Sequence, residues 1–308
     1  VNIAILGTSG MLGSMILDVF QKTDHNIFLI TRSNDFKPYL HGVDCKFVDA
    51  ENATIQELRH FLQGIDWVIN CIGIIKPYID DNNLQEVARA INVNTLFPNK
   101  LAQAIQGYKT KVIQIATDCV FSGKVGGYLE TDLHDAVDIY GKSKSLGEVA
   151  AVNFYNLRVS IIGPEKKTHK SLLDWVTKQP YNAELKGYTN HIWNGITTLH
   201  FAKICLGIIN GDMNLKNLQH IVPKNVLSKY EMIEYFKFFF QRPDLKVTKF
   251  NTPQSVNRTL KTNHIDLNKT LWMAAGYSEI PTIEEMIQEL SFYSKKKDSD
   301  EDNYNSRG

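Results

Sequence analysis

The sequence predicts a doubly wound α/β sheet followed by a smaller, mostly helical lobe. Three observations carry this. Short apolar runs alternate with helix-spaced segments from residue 1 to about 163, a glycine-rich turn joins the first run to the first helical segment, and the alternation stops after Pro164. That rhythm sets helices against both faces of a largely parallel sheet.

Six runs read as strands: NIAILG, NIFLITR, CKFVDA, DWVINCIGII, KVIQIATDCVF and NLRVSIIG. Between them SMILDVFQKT, TIQELRHFLQ and NTLFPNKLAQAIQ repeat apolar residues at three- and four-residue steps, the spacing of a helix with one buried face. Past Pro164, SLLDWVTKQ, SKYEMIEYFKFFF and PTIEEMIQELSFY read as helices of a second lobe, the aromatic run Tyr235 to Phe240 serving as its core. The expected division is 1–163 for the first lobe, with 195–222 returning to it through TTLHFAKICLGIIN, and 164–194 plus 223–293 for the second. Residues 294–308, SKKKDSDEDNYNSRG, are charged and polar and are expected to be disordered.

At 308 residues and 43% hydrophobic the chain can bury a sizeable core, and its formal net charge of +1 provides no basic field for nucleic acid or an anionic membrane. No apolar run nears the roughly 18 residues of a membrane span. Cys45, Cys71, Cys119 and Cys205 lie far apart without a CxxC pair, which points to thiols in a reducing cytoplasm and to no metal site. A small-molecule ligand is the expected partner.

Gly7, Gly10 and Gly13 are spaced three apart where the first strand meets the first helix. Gly7 permits a tight turn, Gly10 lets backbone approach a pyrophosphate, and Gly13 lets helix and strand pack closely. Ser9, Gly10, Met11, Leu12 and Gly13 are then expected around a phosphate at the helix N-terminus. An NAD-type site carries a carboxylate after the second strand, but NIFLITRSN ends in Thr31, Arg32 and Ser33, which suits a 2′-phosphate and favours NADP(H). Asp49 is a candidate for the adenine amino group, and Cys71 and Gly73, ending the fourth strand, for backbone facing the cofactor.

The reaction chemistry is carried by ATDCVFSG and YGKSKSLGE. Tyr140 and Lys144, four apart on a helix, face one side. An ammonium beside a phenol is expected to make it more acidic, so that Tyr140 exchanges a proton with a carbonyl oxygen near neutrality. Thr117, ending the fifth strand, is expected to bond the same oxygen. A second YxxxK, Tyr293–Lys297, falls in the tail and is set aside.

GTSGMLG, INVNTLFPNKLA, ATDCVFSG and YGKSKSLGE, in that order, resemble the extended short-chain dehydrogenase/reductases, and within them the dTDP-4-dehydrorhamnose reductase family, over roughly residues 1 to 290. The resemblance implies a Rossmann lobe, a nucleotide-activated 4-keto-6-deoxysugar as substrate, Thr117, Tyr140 and Lys144 as catalytic trio, and Asn94 as the asparagine that steadies the lysine through water. A homodimer and a dTDP- or UDP-linked L-sugar are expected with it. Where that family has Tyr after Thr-Asp, this chain has Cys119, as bifunctional epimerase-reductases do. In GDP-fucose synthase that Cys partners a His after the next strand, where His169 stands here. Two readings stand: Cys119 and His169 invert C3 before reduction, or the thiol packs and the His caps a helix. Trp193 and Asn194, in GYTNHIWNGITT, are candidates for stacking on the substrate and selecting its hydroxyls, or for anchoring a loop; Lys76 and Arg258 are candidates for its diphosphate. Dehydratases of the superfamily carry Asp-Glu after the Thr and 4-epimerases a Ser-Ala segment, so both fall behind. A non-catalytic NADP-binding regulatory subunit is the alternative from another class.

Overall fold

The computed structural model describes residues 1–31, 44–165 and 170–305. In chain order the first part runs β1 (Asn2–Leu6), α1 (Met11–Phe20), β2 (Asn26–Thr31), β3 (Asp44–Phe47), α2 (Ile55–Phe61), β4 (Trp67–Asn70), α3 (Leu84–Ile91), α4 (Phe97–Ala104), β5 (Lys111–Ala116), α5 (Ile139–Leu146) and β6 (Phe154–Arg158). The remainder is β7 (Ile161–Ile162), α6 (Leu172–Thr177), β8 (Glu184–Tyr188), β9 (His191–Trp193), β10 (Ile196–Thr197), α7 (Thr198–Asn210), β11 (Leu218–His220), β12 (Leu227–Ser228), α8 (Lys229–Phe239), β13 (Lys246–Phe250), β14 (Val256–Asn257), α9 (Ile265–Ala274) and α10 (Ile283–Asn305).

Seven strands form one parallel sheet in the order β11-β6-β5-β4-β1-β2-β3. Ile3, Ile5, Ile69 and Ile113 belong to the core shared with α1 and α7, while Ala4, Leu6, Val68 and Val112 belong to the core shared with α2 and α4. Strands buried on both faces have no polar side, hence their unbroken apolar sequences. Successive strands are added to one side of β1 up to β3 and to its other side from β4 on, and in open sheets of this kind the crevice at the carboxyl ends of the strands at such a switch receives ligands.

The second part is less purely helical than its sequence suggests. β8 pairs in parallel with β13, Lys246 opposite Glu184, and β12, β9 and β14 form a small sheet with Leu227 opposite Trp193 and Asn257 opposite Ile192. α8 covers the β8–β13 pair, its first turn closed by reciprocal bonds between Ser228 and Glu231, a capping box. The expectation of a disordered tail is corrected as far as Asn305, because α10 continues through it. Ile283, Met286, Ile287 and Leu290 are wholly buried, and Tyr293 Oη and Lys297 Nζ each donate to the Asp18 carboxylate of α1, at 2.7 and 2.8 Å. Among the described residues no helix is long and apolar enough to cross a membrane.

Candidate active site

Gly7 follows β1 with φ +83°, a left-handed conformation that any side chain would strain, and its amide donates to Ile30 O at 3.2 Å. A Cβ on Gly13 would lie 2.2 Å from Gly7 O, so only glycine lets α1 approach the turn this closely. Gly10 differs: an added Cβ would meet only Gly7 O, at 3.5 Å, so the space outside it is open. Gly10 is the N-cap of α1, no side chain caps it, and the first turn holds no acid. The N–H groups there are left to an external acceptor. Thr8 is fully buried with its Oγ1 unpartnered among the described residues. An open glycine, an uncapped helix start and an orphaned hydroxyl fit a dinucleotide phosphate.

Ser9 is exposed and Met11 half-buried at this turn, whereas the Leu12 side chain lies in the core. Cys71 and Gly73 follow β4 beside it. Burial pushes the Cys71 thiol up, with the Lys144 ammonium opposing. Asp49 is exposed, and its carboxylate accepts from Glu51 N at 3.2 Å and Asn52 Nδ2 at 2.7 Å, closing its own turn. Arg32 and His169 lie outside the described residues.

Thr117 and Tyr140 come together, and Lys144 follows one turn along the same helix as Tyr140. Thr117 caps the short turn Asp118–Val120 after β5, its Oγ1 accepting from Cys119 N at 3.2 Å, and its hydroxyl acts on the nearby Tyr140 phenol of α5. α5 can lie against this turn because residue 141 is glycine; a Cβ there would sit 2.3 Å from Cys119 O. Asp138 caps α5 by accepting from Gly141 N at 2.8 Å, and Lys76 pairs with the other oxygen of that carboxylate at 2.7 Å. Lys76 thus supports the helix start, its ammonium already engaged.

Lys144 is 6% exposed, and its Nζ donates to Ile115 O at 2.8 Å. Burial pulls the ammonium down to about 8 against Glu148 and Cys71. The expected acidic phenol is not what the structure shows: burial raises Tyr140 above its ordinary value, Cys119 adds to this, and the Thr117 bond opposes it. The ammonium is directed at a carbonyl on β5, so desolvation decides the direction.

Asn94 sits in a π-helical stretch, Asn92–Leu96, between α3 and α4. Its amide accepts from Ile74 N at 2.8 Å and donates to Ile74 O at 2.9 Å and Ser143 Oγ at 3.1 Å, lashing the segment after β4 to the residue before Lys144. Such π-bulges recur at functional sites.

Four groups of the second lobe bear on this centre. Arg258 Nε donates to Phe121 O at 2.8 Å, and its charge partly restores the acidity that burial takes from Asp118 and Cys119. Cys119 is pushed up to about 12, its Sγ donating to Asp118 Oδ1 at 3.7 Å. Trp193 is 5% exposed within the core, its Nε1 donating to Ser160 Oγ at 2.8 Å, and the Asn194 amide is used at both ends by Leu260 N and O at 2.8 and 2.7 Å. Both anchor the wall. Sequence reasoning passed over Asp118 as a partner of Thr117, at 3.2 Å, and Lys229, whose ammonium lies 5.4 Å from the centre of the Trp193 ring. Neither lies in a spacing that signals a role.

Behind the turn lies a buried polar knot. Arg158, wholly buried on β6, donates through Nε and Nη2 to Glu148 at 2.9 and 2.5 Å and bonds His220 and His134 at 2.8 and 2.7 Å. Its guanidinium lies over the Phe121 ring at 5.1 Å, and Phe121 stacks on Tyr128.

The family model described as RmlD substrate binding domain matches residues 1–292. The dTDP-4-dehydrorhamnose reductase of Mycolicibacterium smegmatis is 30% identical over 153 residues, 49% of this chain and 41% of that protein. This chain therefore matches less than half the length of that relative. Methionine adenosyltransferase 2 subunit beta of Danio rerio is 24% identical over 241 residues, 75% of this chain and 71% of that one. The crystal structure of dTDP-4-dehydrorhamnose reductase from Bacillus anthracis in complex with NADP superposes with a TM-score of 0.74 at 20% identity, covering 95% of this chain and 99% of that one, which shows the shared fold.

Proposed function

The chain belongs to the RmlD substrate-binding-domain family, and on that premise we propose that it is an NADPH-dependent reductase of the C4 ketone of a nucleotide-activated 4-keto-6-deoxysugar. The observation that carries the reading is the Thr117–Tyr140 hydroxyl pair with Lys144 on the same helix, at the carboxyl edge of β5, one strand removed from β1 and its glycine turn. When bound, the nicotinamide supplies the hydride. A phenol whose acidity is lowered by burial keeps its proton at neutral pH, as a donor to a ketone oxygen must. Thr117 orients that phenol and gives the ketone oxygen a second hydroxyl contact. Asn94 and Asp138 fix α5, which carries the phenol.

Gly7, Gly10 and Gly13 with the start of α1 would hold the dinucleotide phosphates, and Arg32 its 2′-phosphate. Cys119 keeps its proton at an acidity of about 12, which suits returning a proton to C3 and leaves its removal to a second group, His169. A dTDP- or UDP-linked sugar, a homodimer and a cytoplasmic setting complete the reading.

The regulatory-subunit reading draws on the longer alignment with the Danio rerio protein. The intact trio favours the enzyme, since a purely structural role does not need all three groups. Following NADPH absorbance with dTDP- and UDP-linked 4-keto-6-deoxyglucose separates the two. We expect turnover that falls by at least about 100-fold in Tyr140→Phe with cofactor affinity unchanged; cofactor binding without oxidation of either sugar nucleotide would overturn the reductase.

A further inference from the structure

In the small sheet β12-β9-β14, Lys229 leaves β12 and Arg258 leaves β14, one on each side of Trp193 in the middle strand. The sheet is tied to the catalytic turn, Asn257 N donating to Gly123 O at 2.7 Å and Arg258 Nε to Phe121 O at 2.8 Å. Lys229 is half-buried with its ammonium 5.4 Å above the centre of the indole of Trp193, and among the described residues it has no hydrogen bond or ion pair. Glu231, two residues on, is engaged by Ser228 in the helix cap.

The charged and titratable groups that act on the Lys229 ammonium are Asp118, Cys119 and Arg258. Two cations thus meet one carboxyl that is itself pushed towards its neutral form by burial, and one thiol that keeps its proton. Lys229 and Arg258, both half-buried, thus place two cations by the single Asp118 carboxyl, an imbalance that an anionic partner would relieve. We infer that Lys229, seated on Trp193 opposite Arg258, is a substrate-binding residue that takes a phosphate oxygen of the diphosphate in a nucleoside diphosphate sugar. The inference rests on the reading of the chain as a sugar-nucleotide enzyme. Trp193 then serves as the floor that fixes the ammonium. Burial pulls Lys229 down to about 8, so the charge that grips the phosphate is lost as pH rises past that value unless the phosphate is already bound.

The test is calorimetric titration of UDP and dTDP, with uridine and thymidine as phosphate-free controls, into wild type, Lys229→Met and Lys229→Arg with NADP+ held saturating. We expect Lys229→Met to weaken the diphosphates about 30-fold, the equivalent of one charge-assisted hydrogen bond, and to leave nucleosides and NADP+ unchanged. Lys229→Arg should stay within a few-fold of wild type and, being charged at every accessible pH, keep its affinity at pH 9.5 where wild type weakens. Equal diphosphate binding by wild type and Lys229→Met overturns the assignment while sparing the reductase. Equal weakening of nucleosides, or of NADP+, makes Lys229 a general support of the fold and also overturns it. Failure of wild type to bind either diphosphate removes the sugar-nucleotide reading and this inference together.

Discussion

Replacing Gly13 by Ala should destabilise the protein without removing any group that touches a ligand. The added methyl would sit 2.2 Å from Gly7 O, 2.6 Å from Gly7 C and 3.0 Å from Thr8 Cα. Carbon–oxygen contacts settle at about 3.3 Å or more, so α1 must retreat by roughly 1 Å from a turn whose φ of +83° leaves it little room to yield. Overpacking of this kind costs about 1–3 kcal/mol, and the obstacle here is backbone, which favours the upper end. Alanine's better helix propensity returns up to about 1 kcal/mol, for a net loss of about 2 kcal/mol. Urea unfolding without cofactor should show a lower midpoint at unchanged slope. Gly10→Ala is the control: with only Gly7 O near, at 3.5 Å, its stability should stay within about 0.5 kcal/mol, while NADPH affinity falls because the methyl occupies the phosphate's approach. A Gly13→Ala midpoint equal to wild type, or a Gly10→Ala midpoint lower than that of Gly13→Ala, would refute the reasoning.

Glu148→Gln leaves the wholly buried Arg158 without its carboxylate and should cost about 3–5 kcal/mol, read as a fall in Tm; a loss under 1 kcal/mol would mean His134 and His220 suffice. Burial, then Arg158, pulls the His220 imidazole down to about 4, below the roughly 6.5 of an unfolded chain. The unfolded state therefore takes up a proton that the fold refuses, and stability, complete above about pH 6.5, should decline as pH falls towards 4. Tm measured from pH 8 to 4.5 should slope in wild type and flatten in His220→Gln; identical slopes would remove His220 as the cause. Cys119→Ser, followed by solvent deuterium entering C3 of the sugar, tests the epimerase step: we expect exchange to drop, and undiminished exchange takes the thiol out of the mechanism.

β1 and β4 were the most legible strands because burial on both faces writes itself as unbroken apolar sequence, whereas β3, at the sheet edge, leaves Phe47 exposed and β6 buries Asn156 and Arg158. β11, LQH, carries no such mark: its Gln219 and His220 are buried polar groups, Gln219 Nε2 donating to Thr262 Oγ1 and His220 Nδ1 bonding Lys261 O, while Gln219 Oε1 has no partner among the described residues. The strands of the second lobe are two to five residues long, too short for a period to show. The tail reads as unstructured by composition, yet Tyr293 and Lys297 fall one helical turn apart and meet Asp18 on a distant helix. Thr117, Tyr140 and Lys144 stand out by motif and context. Lys229 does not, since a lysine after a helix cap looks solvated until the small sheet sets it over Trp193. The direction of the Tyr140 shift was illegible for a related reason: spacing puts an ammonium on the same helix face, but where that ammonium points depends on Ile115 O, a carbonyl of another strand.

The stitches between residues 121–128 and 257–259 bear on how these two stretches can move. Arg258 grips Phe121 O, Asn257 N grips Gly123 O, and Tyr128 N reaches Thr259 O at 2.9 Å. Segments laced together at three points travel as one body, and any motion that parts them must first break all three bonds.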